Sequence, residues 1–306
     1  MGKVFAFANM KGGVGKTTAS VLFAETMAKA GRKVLFVDLD AQASASFAIA
    51  GYDGLKSAAT ARRNLCGFVE SCLSEEGLQP LDGFIQRDAS MLEDCPGLDL
   101  VQSHPDLRLV ERTHMREALR RSRVFTPVER SLQEARRPLF EEIRRLSANY
   151  DVVVVDCPPG VSLFVEAGVC AADVILCPTA LEPLATLGLE TIVSRFYLGE
   201  WLGEELASLK RPRPPLAILL SRIDLKDPRQ AAERARIDAL LRMSDWAEGG
   251  IALASEAIEA SPRLAGAFAD PDLTRTFRER YGEFEPRAKA IAACIEQASA
   301  AARAAA

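Results

Sequence analysis

Paired cysteines are missing from this 306-residue chain. Its seven cysteines, at 66, 72, 95, 157, 170, 177 and 294, form no C-x-x-C pair, and His104 and His114 are its only histidines. That excludes zinc-type spacing and leaves free buried thiols as the expected state. No apolar run approaches the ~18 residues a membrane-spanning helix requires. The N-terminus enters a strand at Lys3 without a charged segment leading into an apolar one, so no export signal is expected, and the chain is expected in the cytoplasm. Charge of one sign is lacking too: 38 Lys and Arg stand against 42 Asp and Glu. A chain basic throughout is thereby excluded, and local patches must be counted segment by segment. Repeats are absent.

What is present is an alternation of short apolar runs with helix-like segments. Lys3–Ala8, Lys33–Asp38, Asp151–Asp156, Val174–Cys177 and Leu216–Leu220 read as strands. The third is β-branched without alternation, as in a parallel strand covered on both faces. Helices are expected over Lys16–Ala30, Val161–Ala171, Leu184–Ala207 and Pro228–Met243. Together these predict an α/β fold with a doubly wound, mostly parallel twisted sheet flanked by helices. Between 43 and 150, Leu98–Val101 reads as a candidate strand, and Asp106–Arg121 and Val128–Leu146 as charged amphipathic helices. The expected organisation is one domain over 1–285, with 52–150 as a helical insertion, and an alanine-rich helix over 286–306.

The stretch "ANMKGGVGKTT" (8–18) joins the first strand to the first helix. Gly12, Gly13 and Gly15 let the backbone wrap so that successive N–H groups, Val14 among them, face phosphate oxygens, and the helix adds its positive end. Lys16 is placed to neutralise β- and γ-phosphate charge, Thr17 to ligate Mg²⁺ and Thr18 to reach the α-phosphate region. Met10 stands where the general phosphate-loop pattern has its first glycine, so the match is to a variant.

"KGGVGKTT" resembles the deviant Walker A motif of the ParA/MinD family of P-loop ATPases. "VDLDAQASAS" (37–46) and "VVVVDCPPG" (152–160) are similar to the family's second motif and to its Walker B and switch II. Most of the chain is covered, weakly so over 52–150 and at the C-terminus. The resemblance implies ATP and Mg²⁺ as cofactors, slow partner-stimulated hydrolysis, and a homodimer in which Lys11 crosses to the partner's phosphates. It implies that Asp40 orients the attacking water, that Asp38 shapes the Mg²⁺ surroundings, and that Asp156 holds a Mg²⁺-bound water. Pro158, Pro159 and Gly160 are then the γ-phosphate switch. An N-cap on the following helix is the alternative for Asp40. The family's late Pro-Arg pair is not found within 251–261, so Ser221 and Asp224 are the candidates for base contacts.

Surface charge bears on what such an ATPase would grip. Segment 195–242 carries ten Lys and Arg against seven acids, and 108–145 eleven arginines against six. By resemblance, Arg222, Lys226 and Arg229 are the candidate DNA contacts, binding without base readout. The expected role is a ParA-type partitioning ATPase at the nucleoid, moving a plasmid, chromosome region or other cargo with a ParB-like or cargo-adaptor activator. The alternatives are a dethiobiotin synthetase-like enzyme that activates a carboxylate with ATP, and a MinD-like membrane-associated ATPase. The last is disfavoured because the C-terminal segment has few large apolar side chains.

Overall fold

Phe5 and Phe7 of strand β1 (Lys3–Phe7) point into one hydrophobic layer, while Val4 and Ala6 point into another on the opposite face. The period of two that separates them runs through the whole sheet. The computed structural model describes residues 1–74, 77–121, 128–224, 226–269 and 271–304. Arg123 of the basic stretch, Leu225 of the candidate DNA segment, and Ala305 and Ala306 of the expected last helix lie outside the described residues.

The remaining strands are β2 (Val34–Asp38), β3 (Ile85–Gln86), β4 (Leu98–Val101), β5 (Val152–Asp156), β6 (Val174–Ala180), β7 (Leu216–Ile223), β8 (Ile251–Leu253) and β9 (Ile258–Glu259). Their order is β3-β4-β2-β5-β1-β6-β7-β8, with β9 also pairing with β7. The pairings are parallel except β3 with β4. The sheet is thus the expected doubly wound α/β type, in a single domain. The stretch 52–150, expected as a helical elaboration, also supplies β3 at the sheet's edge and β4 between it and β2.

The helices are α1 (Lys16–Lys29), α2 (Ser44–Thr60), α3 (Leu65–Ser71), α4 (Leu107–Arg121), α5 (Val128–Leu146), α6 (Leu163–Ala171), α7 (Pro183–Thr191), α8 (Glu200–Ser208), α9 (Pro228–Leu240), α10 (Ser244–Glu248), α11 (Pro262–Gly266), α12 (Phe277–Tyr281) and α13 (Glu285–Ala304). Helices α1, α2, α12 and α13 cover the Phe5 face, and α3 to α8 the Val4 face. The single helix expected over 184–207 is broken. A π-helical turn at Ile192–Tyr197 follows α7, and the chain turns extended at Gly199, where a side chain would come within 2.4 Å of the Arg195 carbonyl. Helix α9 likewise stops at Leu240, short of Met243.

Ala288, Ile291, Ala292 and Ile295 of α13 are buried against the α1 layer. This helix therefore spends its apolar side on the core. Among the described residues no helix is long and apolar enough to cross a membrane.

Candidate nucleotide-binding site

The β1 and β5 ends meet where the chain leaves in opposite directions, the crevice in which open α/β sheets bind ligands. Asn9, just past β1, anchors the loop: its amide nitrogen donates to the Pro178 carbonyl (2.7 Å), and its Oδ1 accepts from the Lys11 backbone N–H (3.1 Å). Gly13 and Gly15 adopt φ of 75° and 84°, a left-handed region that side chains disfavour. Helix α1 starts at Lys16 with no side-chain cap and no acid in its first turn, so its leading N–H groups are open to an anion.

Lys16 is 7% exposed, and its amine donates to the carbonyl of Lys11 at 2.8 Å. Burial lowers its pKa, and the nearby Asp156 opposes that shift. The Thr17 hydroxyl donates to Asp156 Oδ2 at 2.8 Å. Asp156 Oδ1 is buried and has no hydrogen-bond partner. Burial and the facing Asp38 push the Asp156 carboxyl up to about 8. A carboxylate so placed, one oxygen on a threonine hydroxyl and the other unsatisfied, fits the outer shell of a hard divalent cation.

Asp38 and Asp156 are partners across the β2–β5 ladder. Unlike Asp156, Asp38 is fully engaged. Its Oδ2 accepts from the Ser46 N–H (2.9 Å) and hydroxyl (2.7 Å), and its Oδ1 from the Asp40 N–H (3.0 Å). It thereby pins the start of α2 and the Asp40 loop, and burial raises its pKa to about 6. Asp40 does not cap α2, which begins at Ser44 after a left-handed Ala43. Its Oδ1 instead accepts from Gln42 N–H at 3.0 Å, in a turn over the site. Gly160, at φ 94°, closes the Pro158–Pro159 turn, and Ser162 caps α6 directly behind it.

Lys11 is held within its own chain: its amine lies 3.1 Å from Glu182 Oε2. Arg222, a candidate DNA contact, lies at the phosphate loop and is exposed. With φ at 55°, it donates to the Gly13 carbonyl (3.1 Å) and lies 3.7 Å from Glu182 Oε1. Arg229 is paired with Asp227 at 3.1 Å, and the Lys226 N–H donates to Asp224 Oδ1 at 3.0 Å.

Beside the loop lies a cavity of about 440 Å³, lined among others by Gly15, Thr18, Ser221, Arg222, Pro262 and Leu264. The Pro-Arg pair sought within 251–261 is present one residue later, as Pro262-Arg263, because the short β9 ends at Glu259 and α11 opens on the proline. Ser221 lines this cavity, with its hydroxyl donating to the Val14 carbonyl at 2.6 Å. Asp224 is not among the lining residues and serves its own turn. Glu182 and Asn9 escaped the sequence reading, since neither belongs to a recognisable spacing.

Comparison with known proteins agrees with this geometry. The family model described as an AAA domain matches residues 2–198. The chain is 30% identical over 193 residues to the chromosome partitioning protein ParA of Myxococcus xanthus, covering 63% of this chain and 57% of that protein. It is 28% identical over 198 residues to the sporulation initiation inhibitor protein Soj of Bacillus subtilis, 65% of this chain and 66% of that one. The ATP complex of a McdA variant from Cyanothece superposes with a TM-score of 0.66 at 17% identity, over 96% of each chain. The match therefore spans about three fifths of the length of the relatives. The chain belongs to the ParA/MinD family of P-loop ATPases, on the ParA side of it.

Proposed function

We propose that this chain is an ATPase whose ATP-dependent pairing switches non-specific DNA binding, in the cytoplasm at the nucleoid, to partition or position a large cargo. The observation that carries the reading is the open rim of the site. Leu184 and Leu187 lie on α7, whose Ala185 packs with Val14 of the loop, Val161 follows the Pro158–Gly160 turn, and these three apolar side chains are 67%, 50% and 44% exposed. Such side chains beside a charged pocket suit burial against a second copy.

The loop N–H groups, Lys16 and the start of α1 would hold the triphosphate, with the base in the cavity faced by Pro262. Thr17 and Asp156 would hold Mg²⁺, which supplies charge neutralisation of the transferring phosphoryl group. Asp40, on its turn above the site, would orient the attacking water. Lys11 would leave Glu182 and reach the partner's phosphates, a cation delivered in trans. Hydrolysis, stimulated by a ParB-like or adaptor protein, would then undo pairing and release DNA.

The test is light scattering of Asp40→Ala with ATP and Mg²⁺, alongside the same variant with ADP. A dimer with ATP and a monomer with ADP is expected. A protein that stays monomeric with ATP, or that turns over ATP only with a small carboxylic acid, refutes the reading in favour of a carboxylate-activating enzyme.

A further inference from the structure

Helix α4 presents a face of one sign. Arg108, Arg112, Arg116 and Arg120 follow at four-residue steps and are all exposed. At ~100° per residue they drift by only ~40° per step, so they share one side of the helix with rises of about 6 Å between them. The acids of α4 lie elsewhere. Glu111 turns inward, accepting from the Phe164 N–H at 3.2 Å, and Glu117 is chelated by Arg120 at 2.7–2.8 Å. Leu107 and Val110 on the opposite side are buried in the core.

Arg62, Arg137, Arg145, Arg234, Arg236 and Arg287 each lie within 4.0 Å of a carboxylate. Among the described residues Arg108, Arg112 and Arg116 make no such ion pair. Arg63, Arg195, Arg242, Arg275 and Arg278 are also exposed and outside ion pairs, but among the described residues only on α4 do such arginines follow at four-residue steps along one helix. Three like charges in a row, none within 4.0 Å of a carboxylate although Arg108 acts on Glu111 electrostatically, are a template for a ligand with regularly spaced anions.

We propose that this face of α4 binds the phosphate backbone of duplex DNA. The choice of DNA rests on the function proposed above, but the surface is separate from the Arg222–Arg229 region. The backbone rises by about 6 Å between Arg108, Arg112 and Arg116 in turn, on the order of the separation of successive phosphates along a strand, and arginine meets phosphate with a fork of donors. Leu109 and Leu119, 63% and 38% exposed, are the large apolar side chains α4 leaves exposed, too little area to seat the helix in a bilayer. The inner side of the same helix caps α6, which starts directly after the Pro158–Gly160 switch, so Glu111 ties this surface to the nucleotide site.

The experiment compares the wild-type chain with R108Q/R112Q/R116Q for binding of a random-sequence duplex by fluorescence anisotropy across a salt series, with ATP and without nucleotide. Glutamine keeps helix propensity, and circular dichroism with ATP-dependent light scattering checks fold and pairing. Removing three phosphate contacts is expected to lower the slope of log K against log salt by about 2.7 and weaken binding at least ~tenfold at ~0.1 M salt. An unchanged slope in the triple variant overturns the α4 surface while leaving DNA binding by the chain intact. If the wild type binds equally with and without ATP and the variant loses that binding, the α4 surface stands and the ATP switch fails. Wild-type protein that binds no duplex, or that binds poly-glutamate or phosphatidylglycerol vesicles through these arginines in preference to DNA, also overturns it.

Discussion

The amine of Lys11 and the carboxylate of Glu182 form a contact within one chain, 3.1 Å apart, and the same carboxylate faces Arg222 at 3.7 Å. The lysine that the trans mechanism requires is therefore occupied at home. Both partners are partly exposed, so the pair is worth little, ~1 kcal/mol or less, and can be exchanged for a phosphate on a second copy. Glu182→Gln should raise acylation of the Lys11 amine several-fold in nucleotide-free protein, read by mass spectrometry. Equal reactivity in the two proteins would show that Glu182 does not restrain it.

Lys16→Ala should abolish ATP binding in calorimetry, a loss of at least ~100-fold, while the thermal unfolding transition remains cooperative. The amine serves the Lys11 carbonyl as well as any phosphate, so the loop should loosen without the sheet failing. Retained micromolar binding in this variant would contradict the phosphate role.

Cavity and loop can be separated. Ala265 lines the cavity beside Pro262, away from Lys16 and Thr17. Ala265→Phe should weaken ATP about tenfold and leave inorganic tripolyphosphate unchanged. Equal losses for both ligands would place the base elsewhere.

Asp38 and Asp156 bind protons more tightly in the folded chain than unfolded, at about 6 and about 8, with burial the first cause for each. The unfolded carboxyls titrate near ~3.9. Folded protein is therefore most favoured near pH 4 on account of these groups, and loses that advantage as pH rises towards 8. With chelator present, Asp156→Asn should gain melting temperature over wild type at pH 8 and little at pH 5, and Mg²⁺ should narrow the gap. A gap of equal size at both pH values would speak against this linkage.

On the opposite layer Arg280, Glu25 and Tyr281 form a buried cluster. Arg280 donates to Glu25 Oε1 and to the Ala48 carbonyl (3.0 Å), and the Tyr281 hydroxyl to Glu25 Oε2 (2.6 Å). Arg280→Met should cost about 3–5 kcal/mol in denaturant unfolding, since it leaves a carboxylate buried without its counterion. Glu25→Gln added to it should recover part of that loss. A cost under ~1 kcal/mol for Arg280→Met would mean water reaches Glu25.

Much of this was legible in advance where one residue type answers to one physical need. Gly13, Gly15 and Lys16 declare a phosphate loop because glycine takes left-handed torsions at least cost and lysine brings a cation to the same turn, and Val152–Val155 declare a buried parallel strand. Contacts set by tertiary approach were not legible. Glu182 meets Lys11 across 171 residues of sequence, and Arg222 meets Gly13 across 209. Pro262 lay one position beyond the window because strand β9 is two residues long, too short for periodicity to mark its end. The Gly199 break escaped because glycine is tolerated in many helices, and only the nearby Arg195 carbonyl forbids a side chain there.

Glu25 lies on the helix that follows the phosphate loop, and it meets Arg280 across 255 residues. Ile291 and Ile295 press on the same layer. During synthesis, a ribosome would release the loop's sequence long before these supports emerge. The nascent chain should therefore acquire its full nucleotide affinity only after residue 280 has left the ribosome.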